Sequence, residues 1–126
     1  MAQRTVAEKA RVKPGSAVAV IDPVPGVVES LGLPTDVRFV TPESADIVMA
    51  FPTNRAYLER LMVEVVEQLA PHAALWVFFR KGSKAAGFDM NRDTVWALAE
   101  SLDMRPLGLL SVDETFSVFR LRKAAT

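Results

Sequence analysis

The stretch DIVMAFPTNRAYLERLMVEVVEQLAPHAALWVFF, residues 46–79, holds two uninterrupted apolar runs on either side of one amphipathic segment. Asp46 to Phe51 and Ala74 to Phe79 do not alternate apolar with polar, so each reads as a strand covered on both faces. Between them Leu58, Leu61, Met62, Val65, Val66 and Leu69 recur at i, i+3, i+4 spacing and form one apolar stripe of a helix. Thr53 or Asn54 can cap its start, and Pro71 closes it. Arg55 with Glu59, and Arg60 with Glu64, occupy the other face at i,i+4 spacing, each pair worth a few tenths of a kcal/mol. Strand, helix and strand in that order predict a parallel pair joined by a right-handed crossover.

The flanking sequence extends the same pattern. Ala17 to Ile21 is a further continuous apolar run, set off by the Lys13-Pro14-Gly15 turn and ended by Asp22-Pro23. Gly26 to Gly32 has room for about two helical turns, with Gly32 placed to end them in a left-handed conformation and Pro34 to forbid continuation. Val37 to Val40 reads as a short strand, and the Thr41-Pro42-Glu43-Ser44 loop after it is too short for a full helix. Past the polar loop at Arg80, Asn91 reads as the N-cap of a helix through Trp96, Leu98, Ala99 and Leu102, with Met90 and Val95 as its hydrophobic staple. Trp96 falls off the Leu98 and Leu102 line, at the edge of the core or on a partner surface. Leu107 to Val112 and Phe116 to Leu121 read as two strands around Asp113-Glu114-Thr115, a connection so short that the pair is antiparallel. The predicted fold is α/β: a three-layer, Rossmann-like, mostly parallel six-stranded sheet that ends in an antiparallel hairpin. One domain over residues 1–126 is expected, with residues 1–13 as a short helical arm.

Composition narrows the chemistry. Half the 126 residues are hydrophobic, and 15 Lys+Arg balance 15 Asp+Glu. That excludes disorder and argues against a general polyanion binder, so no nucleic acid partner is expected. The absence of cysteine excludes disulfides, thiolate catalysis and cysteine-ligated metals, and a single histidine removes most other transition-metal sites. The first residues lack an apolar signal region, and no stretch approaches a membrane span, so a cytoplasmic protein without a membrane partner is expected.

The order of elements resembles the class I S-adenosylmethionine-dependent methyltransferase fold. Ala45 to Phe51 is similar to that family's central strand, an acidic residue followed by apolar ones. Leu69-Ala70-Pro71-His72-Ala73-Ala74-Leu75-Trp76-Val77 resembles its L-x-P-G-G-x-L segment, with His72 and Ala73 in place of the two glycines. The last hairpin resembles its final two strands. The likeness covers nearly all of the chain after residue 13, with one strand and one helix of the full fold missing. A nearer resemblance is to a bacterial family of unknown function that looks like a shortened methyltransferase fold. It rests on Ala7-Glu8-Lys9, Val12-Lys13-Pro14-Gly15, Ala74-Leu75-Trp76-Val77 and Val112-Asp113-Glu114-Thr115-Phe116-Ser117, and implies a fold and lineage without a reaction.

At the first strand-to-helix turn the methyltransferase resemblance implies an acidic residue and a D-x-G-x-G run that admits the cofactor. This chain has Asp22-Pro23-Val24-Pro25-Gly26 instead. Only Asp22 and Gly26 match, and the prolines remove backbone donors. No cofactor is therefore expected, and Asp22 reads equally well as a residue that ends a strand and caps the next turn. Ligands of open α/β sheets bind beyond the carboxyl ends of strands at the switch point. The expected crevice is lined by Asp22, Pro23 and Gly26 from the first turn, Phe51, Thr53 and Asn54 from the third strand's end, and Arg80, Lys81, Ser83 and Lys84 from the basic loop. An anion such as a phosphate or carboxylate would suit that loop, although a solvated charge cluster is the simpler reading. Asp113 and Glu114 read as a polar turn, His72 as a surface or helix-end residue, and Trp76, Phe78 and Phe79 as core. Phe51-Pro52 stands where a receiver domain needs its phosphorylated aspartate, which disposes of that α/β class. The leading expectation is a non-catalytic module that binds a small anionic ligand or a protein partner. The alternative is a reduced methyltransferase with an atypical cofactor turn, and a homo-oligomer subunit is kept as a third reading.

Overall fold

A computed structural model of the chain describes residues 5–81 and 90–124. Its elements are α1 (Val6–Lys9), β1 (Ala17–Ile21), α2 (Val27–Ser30), β2 (Arg38–Phe39), a 3-10 turn (Pro42–Ser44), β3 (Ile47–Ala50), α3 (Arg55–Gln68), β4 (Ala74–Arg80), α4 (Arg92–Ser101), β5 (Met104–Ser111) and β6 (Phe116–Lys123). The six strands form one sheet in the order β2-β1-β3-β4-β6-β5. β2, β1, β3 and β4 pair in parallel, while β6 runs antiparallel to both β4 and β5. The expected three-layer α/β fold with a closing antiparallel hairpin is what the chain adopts.

Two apolar clusters cover the two faces of the sheet. On one face Val48, Ala50, Leu75 and Val77 pack under the α3 stripe of Leu58, Leu61, Met62 and Val65 and under Val95 and Ala99 of α4. On the other, Val18, Met49, Trp76, Phe78 and Val118 pack under Val6 of α1 and Val27 and Leu31 beside α2. Burial on both sides explains why β3 and β4 read as unbroken apolar runs. Trp76 is 2% exposed and stands in the core as expected. Trp96 is half-buried and stacks on Phe119 with ring centroids 6.1 Å apart, which puts it at the edge of the core.

Several boundaries differ from the expected ones for local reasons. α2 is a single turn, because Gly26 is its N-cap at φ 85° and Gly32, at φ 71°, follows its C-cap Leu31. Gly32 also lies against Thr5: a Cβ there would stand 2.5 Å from Thr5 Cγ2. β5 begins at Met104, ahead of the expected Leu107, because Pro106 is tolerated on an edge strand and a bulge between Pro106 and Gly108 absorbs the irregularity. β2 is reduced to two residues, paired with Ala17 and Val18 in the lower part of β1. From it, residues 40–46 lead directly to β3: the Val40 N–H bonds the Val18 carbonyl and the Asp46 N–H bonds the Ala17 carbonyl.

The N-terminal arm docks on the sheet. Thr5 caps α1 in a reciprocal capping box with Glu8, and the Ala7 N–H bonds the Leu31 carbonyl at 2.9 Å.

Candidate functional site

The parallel strands β1, β3 and β4 end at one edge of the sheet, where β6 begins, because Phe116 is the register partner of Arg80. A cleft of about 250 Å³ opens there, lined by Val24, Phe51, Pro52, Thr53, Phe78, Arg80, Met90 and Phe116. Its walls are mainly apolar. Phe51 and Phe78 stack at 4.3 Å between centroids, and the Arg80 guanidinium lies 5.2 Å from the centroid of the Phe116 ring. A cation held over an aromatic face at the mouth of an apolar pocket can meet the anionic end of a ligand whose body is apolar. Pockets for drug-sized ligands run to about 300–1,000 Å³, so this one suits a smaller molecule, roughly one substituted ring.

The residues singled out in the sequence divide between this cleft and other duties. Phe51, Thr53 and Arg80 line it, together with Val24 and Pro52 from the expected segments. Asp22, Pro23, Gly26, Asn54 and Lys81 are not among its lining residues. Asp22 takes a left-handed φ of 51°, and its carboxylate accepts a hydrogen bond from the Tyr57 hydroxyl in the first turn of α3. It therefore ties the β1 turn to α3. Asn54 rather than Thr53 caps α3, its Oδ1 accepting from the Tyr57 N–H at 2.8 Å. Lys81 Nζ donates to Ser111 Oγ and to the Asp113 carbonyl, so its charge serves the β5–β6 turn. Arg80 is the last residue of β4 and Lys81 the first of the turn after it, and the basic pair is split between the cleft and the β5–β6 turn. Ser83 and Lys84 lie outside the described residues.

Phe78, Met90 and Phe116 were not expected in the site. Phe78 and Met90 read from sequence as core and as a helix staple, which they also are. Phe116 enters only because β6 inserts beside β4, a fact of strand order that no local pattern records.

Asp113, Asp46 and His72 have structural roles. Asp113 Oδ1 accepts from the Thr115 N–H at 2.8 Å and the Phe116 N–H at 2.7 Å, which makes the polar turn read from the sequence an Asx-type turn. Asp46 lies at the opposite end of the sheet from the cleft. Its Oδ2 accepts from the Ala17 N–H at 2.9 Å, and its Oδ1 lies 3.0 Å from His72 Nε2. The Ala17 N–H first, and His72 second, hold its carboxyl below the ordinary aspartate range. Among the described residues there is no group of three or more metal-ligating side chains.

Comparison with known proteins places the fold. No protein-family model matches the chain, and no curated protein matches it in sequence. Solved structures do match in shape. A TehB-like SAM-dependent methyltransferase from Corynebacterium glutamicum superposes with a TM-score of 0.57 at 10% identity, over 93% of this chain and 85% of that one. The ribosomal protein L11 methylase from Lactobacillus delbrueckii subsp. bulgaricus gives 0.58 at 12% identity, over 93% and 74%. An O-methyltransferase from neocarzinostatin biosynthesis, solved with S-adenosylmethionine, gives 0.64 at 9% identity, over 87% of this chain and 49% of that one. This chain thus has a Rossmann-like fold of the methyltransferase type, and at these identities the likeness is one of fold alone.

The cofactor implied by that fold does not fit the residues of the first turn. Pro23 and Pro25 offer no N–H, the Asp22 carboxylate is engaged by Tyr57, and the β2 ladder stops at Val18, short of the end of β1.

Proposed function

We propose that this chain is a small, non-catalytic, cytoplasmic domain of methyltransferase-like fold that binds a small anionic ligand in the Arg80 cleft. The observation that carries the reading is the cleft itself: an apolar pocket of about 250 Å³ with Arg80 held over Phe116 at its mouth, beyond the strand ends where α/β sheets take their ligands. The first turn supports the non-catalytic part, since both its prolines and the Asp22–Tyr57 bond oppose cofactor binding. The resemblance to a bacterial family of unknown function agrees with a reduced scaffold. Benzoate is a suitable probe, with neutral benzamide as its control. Titration followed by nuclear magnetic resonance is expected to shift the signals of Phe51, Thr53 and Phe116 with benzoate. Arg80→Gln should weaken that binding by roughly tenfold, the size of one charge-assisted hydrogen bond. Equal binding of benzamide and benzoate would overturn the anionic reading.

The second reading, a reduced S-adenosylmethionine-dependent methyltransferase, is favoured by the fold comparisons. Calorimetric titration with S-adenosylmethionine and its demethylated product separates the two. The first reading expects no heat of binding, and micromolar affinity would sink it.

A further inference from the structure

The β5–β6 hairpin carries charge that the cleft does not use. The cross-strand register places Arg105 opposite Arg122 and Gly108 opposite Arg120, so Arg105, Arg120 and Arg122 stand on one face of the hairpin. Like charges directly opposite each other on a sheet repel. Arg120 is half-buried, and its Nε is buried without a hydrogen-bond partner. Burial alone pulls the Arg120 pKa down from its ordinary value, and none of the ion pairs among the described residues involves these three arginines. The direction of the Arg120 side chain is also informative. A Cβ on Gly108 would stand 2.9 Å from Arg120 Nη2, so the guanidinium extends from β6 across the missing side chain of β5. It points toward the outer edge of the sheet.

That edge has its own features. β5 is the last strand, and no described strand pairs with its outer side. Pro106 and the bulge interrupt the ladder in its first half, a usual device of edge strands. From Gly108 to Ser111 there is no such guard. Leu109, 41% exposed, pairs with Phe119 and so lies on the face opposite the arginines, and Leu107, 43% exposed, stands at the bulge.

We infer that the outer edge of β5 is a docking site for an extended peptide of alternating acidic and apolar residues, contributed by a partner protein. In such an added strand, residues two apart share a face at about 6.7 Å, the spacing of Arg120 and Arg122 along β6. One acidic position meets Arg120 beside Gly108, those that run on past the bulge meet Arg105 and Arg122, and the apolar positions lie beside Leu109. The added backbone satisfies the outer N–H and C=O groups of Gly108 to Ser111. A nucleic acid strand would also meet the arginines, but it has no use for a sheet edge or for Leu109. The edge and the apolar face therefore favour the peptide.

The test uses the full chain and an end-blocked octapeptide of alternating glutamate and valine. Two controls are a peptide of the same composition with its glutamates and valines in separate blocks, and a short thymidine oligonucleotide. Fluorescence anisotropy is expected to show micromolar binding of the alternating peptide that weakens with salt. Arg122→Glu and Arg120→Gln should each weaken it about tenfold or more. Leu109→Lys, an exposed substitution that leaves the arginines in place, should weaken it as well. Amide signals of residues 108–111 should move on binding. Equal affinity for the block peptide, tighter binding of the oligonucleotide, or no binding of the alternating peptide would each overturn the inference. Thermal unfolding of the variants confirms that each is folded when it is titrated.

Discussion

Replacing Gly32 by alanine perturbs two things whose sizes can be worked out separately. The backbone at Gly32 has φ 71°, a conformation that costs an L-residue about 1–2 kcal/mol. The new Cβ would stand 2.5 Å from Thr5 Cγ2 and 2.6 Å from Thr5 Cβ. Threonine is branched at Cβ and stiff at χ1, so its side chain cannot swing aside cheaply. To make room Thr5 must move as a unit, which breaks its capping box with Glu8. A lost N-cap costs about 0.5–2 kcal/mol. Gly32→Ala should therefore cost about 1.5–4 kcal/mol, a large part of a typical total of about 5–15 kcal/mol. Urea unfolding of four proteins isolates the contact: the parent, Gly32→Ala, Thr5→Gly and the double variant. Glycine is an adequate N-cap, so Thr5→Gly alone should cost only about a few tenths of a kcal/mol. In that background the glycine substitution should cost only the backbone part, about 1–2 kcal/mol. An undiminished cost in the double variant would refute the steric reasoning.

The other predictions concern the far end of the sheet and the start of α3. Because the folded Asp46 carboxyl titrates below its unfolded value of about 3.9, the stability it contributes is complete above that value and is lost as pH falls through the folded pKa. Asp46→Asn should lower stability by about 1 kcal/mol at neutral pH, with the difference shrinking as pH falls below the unfolded aspartate value; a pH-independent difference in urea midpoint would contradict this. Asn54→Ala should cost about 0.5–2 kcal/mol and Thr53→Ala close to nothing, since only Asn54 caps α3. Thermal melts in which the two variants ranked the other way would mean that the cap is misassigned.

The parts of the fold that local pattern records were legible, and the parts that depend on strand order were not. Continuous apolar runs showed which strands are covered on both faces, and the Leu58 to Leu69 stripe located α3. Gly32 was legible as a helix stop because its residue type and the Pro34 that follows admit few alternatives. The hairpin was legible as antiparallel from its short turn, but the insertion of β6 between β4 and β5 was not. That insertion puts Phe116 beside Arg80, and so the cleft could be placed at the strand ends without all of its walls being named. Arg80 and Lys81 show the same limit at the scale of one residue. As letters they form a basic pair, and only the strand end determines that one faces the cleft and the other the Ser111 and Asp113 turn. Asp22 reads as an ordinary turn residue, and its bond to Tyr57 spans 35 positions of sequence.

The direct link from β2 to β3 has a consequence for how this domain can be enlarged. Residues 40–46 leave and return beside the same strand, since Val40 bonds Val18 and Asp46 bonds Ala17. An inserted module would enter and exit at adjacent points, and the entropy of closing a loop grows only slowly with its length, by about 0.6 kcal/mol per doubling. A reporter domain grafted between Thr41 and Ser44 would thus burden neither the Arg80 cleft nor the β5 edge. The shortest crossing in the chain is also its natural splice point.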